Sequence, residues 1–302
     1  MKPLKAVFVL IIVLGHISYY LDAPVFRVFH QLGAPAVAVF FFVSGFGLVR
    51  SFQMKGKGYL QGFFRSRILR ILLPALVLFF VHLLLCGNGG KSFPEMLEQL
   101  FKYGITIPPQ YWFLFVILFD YLLFWCTFRW LPSDFHLPVL FIGAILFIAG
   151  TVLAGYDRCW WICGLTFPTG AVFAQHEDRI RLFLGKSPLR FTLGMVLGSV
   201  LLIVTFLTHS PFVWTLSYVA ICWIVALIVS AVPFDRVRWP VLGFLGTVSY
   251  EIYLSHITAL DFLRSGRVYV SQNWLYILLA FALTLFLSGL VHFLCARLFP
   301  KR

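Results

Sequence analysis

Long runs of apolar residues with almost no charge decide what this chain can fold into. As a helix, about 20 apolar residues match the ~30 Å hydrocarbon thickness of a bilayer. Inside lipid only a helix or a closed barrel satisfies its own backbone polar groups. Such runs recur along the whole chain: 61% of residues are hydrophobic and only 12% charged, and the mean hydropathy is +0.93. No soluble core needs that much apolar surface. The sequence therefore predicts an all-α integral membrane protein with about ten transmembrane helices, at roughly 3–21, 33–50, 68–86, 110–128, 137–154, 158–175, 190–208, 212–231, 241–262 and 272–296. The 302 residues are expected to form a single transmembrane domain, 1–302.

The net charge of +13 raises the question of nucleic acid. Placement answers it. If the N-terminus is inside, 18 of the 24 basic residues fall in cytoplasmic segments, leaving Arg27, Lys91, Lys102, Arg158, Arg264 and Arg267 outside. The positive-inside rule then puts both termini in the cytoplasm. The charge is read as topology and contact with anionic membrane lipids, and no nucleic-acid partner is expected.

The first run, Lys5-Ala-Val-Phe-Val-Leu-Ile-Ile-Val-Leu-Gly-His16, starts on a cation and ends on an imidazole. Eleven residues make about three helical turns, so the two fall on nearly one face, roughly 16 Å apart. The following Ser18-Tyr-Tyr-Leu-Asp-Ala-Pro24 is a poor small-residue cleavage site, so the run is expected to be a retained helix, not a signal peptide. An ionisable group at membrane depth is costly and marks function by default.

Other polar residues share that depth. Measured from the inner helix ends, His16 lies at roughly 19 Å, Glu251 at about 15 Å and His256 at about 22 Å. The three are therefore expected around one midplane cavity, with Glu251 orienting the imidazole of His16 as general base. Glu251 and His256 stand about 140° apart around their helix and point different ways. Asp120 lies near the middle of its own span and is a further candidate. His82 and His292 read as lone histidines hydrogen-bonded between helices. Arg67 and Arg70, three apart at a helix mouth, suit bidentate contact with phosphate oxygens, although anchoring under the positive-inside rule explains them equally. Ser44 sits among small residues that let membrane helices approach closely, and Trp112 fits an interfacial aromatic belt. The six cysteines are scattered through apolar runs; Cys159 and Cys163 lie one turn apart with no histidine beside them, so no metal centre is expected.

Five of these stretches, in order, resemble acyltransferase family 3, integral-membrane acyltransferases that include bacterial enzymes O-acetylating cell-surface sugars. Lys5-x10-His16 resembles the family's basic-x10-His signature, with lysine where arginine is common. Phe40-Phe-Phe-Val-Ser-Gly-Phe46, Arg67-x-x-Arg70 followed by Ile71 and Pro74, Tyr111-Trp-Phe-Leu114 and Val248-Ser-Tyr-Glu-Ile-Tyr-Leu-Ser-His256 resemble the others. The soluble esterase-like domain that some relatives append is not expected. The resemblance implies an acyl-CoA donor, acetyl-CoA above all, arriving from the cytoplasm. Lys5, Arg67 and Arg70 would engage the CoA phosphates and His16 would be the catalytic histidine. Ser44, Trp112, Asp120, Tyr253 and His256 are the expected substrate-binding residues. The acceptor would be a hydroxyl of a glycan or lipid-linked sugar, and the location a multi-pass position in a bacterial cytoplasmic membrane. Two other classes stand beside the enzyme: a glycan or lipid transporter using the buried ionisable groups as a proton relay, and a non-catalytic sensor on the same scaffold.

Overall fold

The structure is a computed structural model that describes residues 2–185, 187–231 and 240–298. Lys186, Arg236, Arg238, Lys301 and Arg302, all counted on the cytoplasmic side above, lie outside the described residues. In chain order the helices are α1 (Lys2–Ile17), α2 (Pro24–Lys55), α3 (Gly58–Gln61), α4 (Leu69–Cys86), α5 (Phe93–Tyr103), α6 (Trp112–Trp130), α7 (His136–Leu153), α8 (Thr166–Gly185), α9 (Pro188–Leu207), α10 (Pro211–Ala231), α11 (Pro240–Thr247), α12 (Ser249–Leu263) and α13 (Asn273–Leu298). No strand occurs among the described residues. The protein is all-helical.

Among the described residues, seven helical stretches are long and apolar enough to cross a membrane: Pro24–Lys55, Phe64–Cys86, Pro109–Trp130, Ser133–Leu153, Pro188–Leu207, Pro211–Ala231 and Asn273–Leu298. The other three expected spans fall on α1, α8 and the pair α11–α12. α1 has only 16 residues. α8 starts at Thr166 because residues 158–165 are turns: a short 3-10 turn, Arg158–Trp160, which Asp157 caps by accepting from the Cys159 N–H, and further turns over 161–165. Its second half then carries Gln175-His-Glu-Asp-Arg-Ile-Arg181. The expected helix over 241–262 is broken at Val248 into α11 and α12.

The chain divides into two compact units, Met1–Ala36 with Phe63–Phe115 and Trp239–Arg302, and Val37–Gly62 with Val116–Arg238. In the first, α12 is the axis: 12 of its 15 residues are buried. A helix enclosed by protein needs no lipid-facing apolar belt, so it is free to carry Glu251 and His256. Three neighbours pack on it. α1 runs parallel to it, with His16 beside His256 and Tyr20 donating to Asp261. α4 is also parallel: Tyr250 Oη donates to the Ile71 carbonyl (2.9 Å), and His82 meets Thr258 (3.1 Å). α13 is antiparallel, with His292 at Glu251 (2.8 Å), Ser288 at Ser255 (2.8 Å) and Tyr276 Oη donating to the Leu260 carbonyl (3.2 Å). The N-terminal ends of α1, α4 and α12 therefore share one end of this unit.

The second unit holds the C-terminal part of α2, most of α6, and α7 to α10. A Cβ on Gly45 would stand 2.1 Å from the Phe167 carbonyl oxygen, so α2 meets α8 there backbone to backbone. Further along α8, Glu177 pairs with Arg50 (3.7 Å) and Arg181 (2.9 Å).

Between α4 and α6, outside all the expected spans, the chain forms the amphipathic helix α5. It opens with a capping box in which Ser92 and Glu95 satisfy each other's backbone N–H. Hydrogen bonds from the Ser92 backbone and hydroxyl hold the Glu95 carboxyl below the usual carboxylate range. A depressed folded pKa stabilises above the unfolded value, and the effect is lost as pH falls through the folded one. Amide exchange over 93–103 should accordingly speed up as pH drops through the carboxylate range after correction for intrinsic rates, and Ser92→Ala should show fast exchange at every pH.

Candidate active site

His16 lies on the last turn of α1, and its surroundings fix which nitrogen carries the proton. Nδ1 is 2.9 Å from the Ile12 carbonyl oxygen one turn back, and 3.3 Å from Nε2 of His256. A carbonyl oxygen only accepts, so the proton is on Nδ1. The same logic holds on α12, where His256 Nδ1 faces the Ile252 carbonyl oxygen at 3.3 Å. Nε2 of His256 is then a lone pair that shares the His16 Nδ1–H with Ile12. The two rings meet edge to face, 4.8 Å between centroids. His256 is fully buried and His16 half-buried. His16 Nε2 is left with a lone pair and no proton, which is the state a general base requires.

Glu251 does not reach this pair. Its carboxylate takes the Nδ1 of His292 on α13, on the other side of α12, as the 140° between residues 251 and 256 requires. The group beside His16 is a second imidazole. The pairing of His16 with His256 spans 240 residues and leaves no local signal in the sequence.

Toward the start of α1, Lys5 is half-buried and Arg67 acts on it through its charge. Arg67 lies in a π-turn, Phe64–Ile68, that leads into α4 and that the sequence does not announce; such wide turns often mark functional positions. Arg67 is half-buried, whereas Arg65 and Arg70 are exposed. A cationic end thus lies about three turns, roughly 16 Å, before His16 along α1. Beyond His16, at the opposite end, His82, Cys86 and Asp261 bring potential ligand atoms within 4.8 Å of one another. Each already has a protein partner: His82 meets the Thr258 hydroxyl, the Cys86 thiol donates to the Thr258 carbonyl (3.5 Å), and Asp261 accepts from Tyr20. The cluster ties α1, α4 and α12 together.

Tyr253 and His256 stand about 60° apart on α12, on one edge of the helix, with ring centroids 5.7 Å apart. The segment leading into α6 seats this edge. Tyr253 Oη donates to the Gln110 carbonyl (3.1 Å), Gln110 Nε2 donates to the Leu254 carbonyl (2.8 Å), and the Phe113 ring lies 4.8 Å from that of Tyr253. Tyr111 donates to the Ala75 carbonyl of α4 (2.8 Å). Trp112 is half-buried, against Phe113. Lys5, His16, Arg67, Arg70, Trp112, Glu251, Tyr253 and His256 therefore all belong to the first unit. Ser44 and Asp120 belong to the second: Ser44 is half-buried next to Gly45, and Asp120 is buried, with Oδ2 lacking a partner among the described residues.

No curated protein and no solved structure matches the chain. The profile of the acyltransferase domain, in contrast, matches residues 4–293, from α1 through most of α13. It takes in both members of the histidine pair and nearly all of the helical architecture around them, and on that match the chain belongs to acyltransferase family 3, as a membrane acyltransferase.

Proposed function

We propose that this membrane acyltransferase moves an acetyl or other short acyl group from cytoplasmic acyl-CoA to a hydroxyl of a glycan or lipid-linked sugar, with His16 as general base. The observation that carries the reading is the bare Nε2 of His16, left by a proton held on Nδ1 between Ile12 and His256. Nε2 takes the proton of the acceptor hydroxyl as its oxygen attacks the thioester carbonyl. The tetrahedral intermediate collapses by breaking the carbon–sulfur bond, and the proton passes from His16 to the departing CoA thiolate. Ester and free CoA result, and the histidine returns neutral. His256 acts as a positioning residue that fixes the ring and tautomer, the part first expected of Glu251.

In this reading the cationic end formed by Lys5, Arg67 and Arg70 receives the CoA phosphates, since guanidinium groups match phosphate oxygens in pairs. The roughly 16 Å from Lys5 to His16 leaves room for an extended pantetheine arm between phosphates and thioester. With ten crossings and both termini in the cytoplasm, that end opens to the compartment that holds acyl-CoA, and the membrane is a bacterial cytoplasmic membrane.

The donor assignment has a direct test. Radiolabelled acetyl-CoA is titrated against purified wild type, Arg67→Ala and Arg67→Ala/Arg70→Ala in nanodiscs. Lost phosphate contacts should weaken binding by about 10- to 100-fold, and wild-type binding should fall as salt rises. Equal binding by all three proteins would remove the arginines from the donor site.

A further inference from the structure

The last turns of α4 and α12 bring three kinds of metal ligand together. His82 and Cys86 are four apart on α4, so they stand on one helix face, one above the other. That face is turned to α12, because both residues reach Thr258: His82 Nδ1 is 3.1 Å from its hydroxyl, and the Cys86 thiol donates to its carbonyl (3.5 Å). Asp261, three residues further along α12, falls on the same side of that helix. A ring nitrogen of His82, the Cys86 sulfur and an Asp261 carboxylate oxygen consequently lie within 4.8 Å of one another.

The cluster is open to an ion. His82 is buried, but Cys86 and Asp261 are only half-buried. Cys86 is the last residue of α4, and Asp261 stands two residues before the end of α12. The approach is past the helix ends.

We propose that His82, Cys86 and Asp261 bind a divalent transition-metal ion of the zinc class, as three protein ligands with the fourth position left to water or a hydroxyl. Nitrogen, sulfur and oxygen donors together suit zinc, whereas Mg2+ and Ca2+ take oxygen. Ligand atoms around a tetrahedral zinc stand roughly 3.4–3.6 Å apart. The three groups draw in by about 1 Å from their present spacing to reach that geometry. Cys86 binds as the thiolate: its proton goes to solvent, and a sulfur–metal bond replaces the hydrogen bond to the Thr258 carbonyl. Thiolate and carboxylate together balance the two charges of the ion. The Thr258 hydroxyl at the His82 ring and Tyr20 at the Asp261 carboxylate are outer contacts of the kind that orient metal ligands.

The site is separate from the histidine pair, since Asp261 stands five residues, about 7–8 Å, beyond His256 along α12. It does not depend on the acyl-transfer reading. Cys159 and Cys163, on which the expectation of no metal centre rested, take no part in it.

The test uses full-length purified protein in nanodiscs, stripped with a chelator and titrated with Co2+ as a spectroscopic probe and with Zn2+ against a chelating indicator. One ion per chain should bind and bring a sulfur-to-cobalt charge-transfer band. That band should vanish in Cys86→Ser and persist in Cys159→Ser. Zn2+ affinity should fall by about 100-fold or more in His82→Gln and Asp261→Asn, and by about tenfold in Tyr20→Phe, which loses an outer contact only. Because these residues also join helices, the wild type is probed directly as well. Zn2+ should protect Cys86 from alkylation, read by mass spectrometry of its peptide, with the other cysteines as internal controls and a chelator reversing the effect. Any one of four results overturns the proposal: no ion bound, a band that survives Cys86→Ser, an affinity untouched by His82→Gln and Asp261→Asn, or Cys86 alkylation indifferent to Zn2+. The cluster is then a hydrogen-bonded junction and nothing more.

Discussion

His16→Ala is expected to lower acyl transfer by about 10²- to 10⁴-fold, the range a positioned general base supplies, with acetyl-CoA binding intact. The cationic end that would bind the donor phosphates lies three turns away and does not depend on the imidazole. His256→Ala should cost less, about 10- to 100-fold, because the Ile12 carbonyl still holds Nδ1 of His16 while the second acceptor is gone. His256→Gln, which restores an acceptor oxygen, should recover part of the loss. Turnover and acetyl-CoA binding measured side by side on the three variants check this. Wild-type turnover in His16→Ala would take His16 out of the reaction, and equal losses in binding and turnover would make it a structural residue.

The second large effect is on stability, at Gly246 of α11. A Cβ there would stand 1.9 Å from the Lys2 carbonyl oxygen and 2.5 Å from its carbonyl carbon. These are backbone atoms that cannot rotate aside, so Gly246→Ala must push the start of α1 off α11. Overpacking of this kind costs about 1–3 kcal/mol or more, and here it displaces the helix that carries Lys5 and His16. Gly243, one turn earlier on the same helix, has nothing within 4 Å of its Cβ position. Gly243→Ala should be neutral, or gain up to about 1 kcal/mol from helix propensity. Thermal unfolding in nanodiscs distinguishes them: a drop of several degrees for Gly246→Ala against none for Gly243→Ala. Equal melting temperatures would mean that α1 and α11 are not in contact at this point.

What the sequence made legible follows from what lipid demands. α4, α6, α7, α9, α10 and α13 start and end within about two residues of the expected spans, because each is a long apolar run bounded by charge or proline. α2 overruns its expected span, 24–55 against 33–50, and the other three helices misjudged in length or position are largely enclosed by protein. α1 is short, α12 is cut off at Val248, and α8 starts late behind the turn at Arg158. Enclosure relaxes the need for 20 apolar residues, so hydropathy says little about them, and two of the three carry the polar residues of the site. Depth along the axis was readable, and it brought His16 and His256 to one height. Direction around the axis was not. The spacing of Glu251 and His256 showed only that they diverge, and which of them turns to α1 depends on where α13 packs. The cation beside Lys5 could be suspected from Arg67, but the π-turn that seats it has no pattern in Phe64-Arg-Ser-Arg-Ile68. Gln110 had no signal at all beyond being a polar residue in an apolar stretch.

The histidine pair also sets a clock on biogenesis. His16 is made near the start of the chain and its partner 240 residues later; at about 5–20 residues per second, roughly 10–50 s separate them. For that interval α1 is a short helix with an imidazole and no α12 to enclose it, so it must be sheltered by the insertion machinery or wait near the membrane surface. Until α12 arrives, only the Ile12 carbonyl one turn back holds the tautomer of His16, and the second imidazole of the pair is missing.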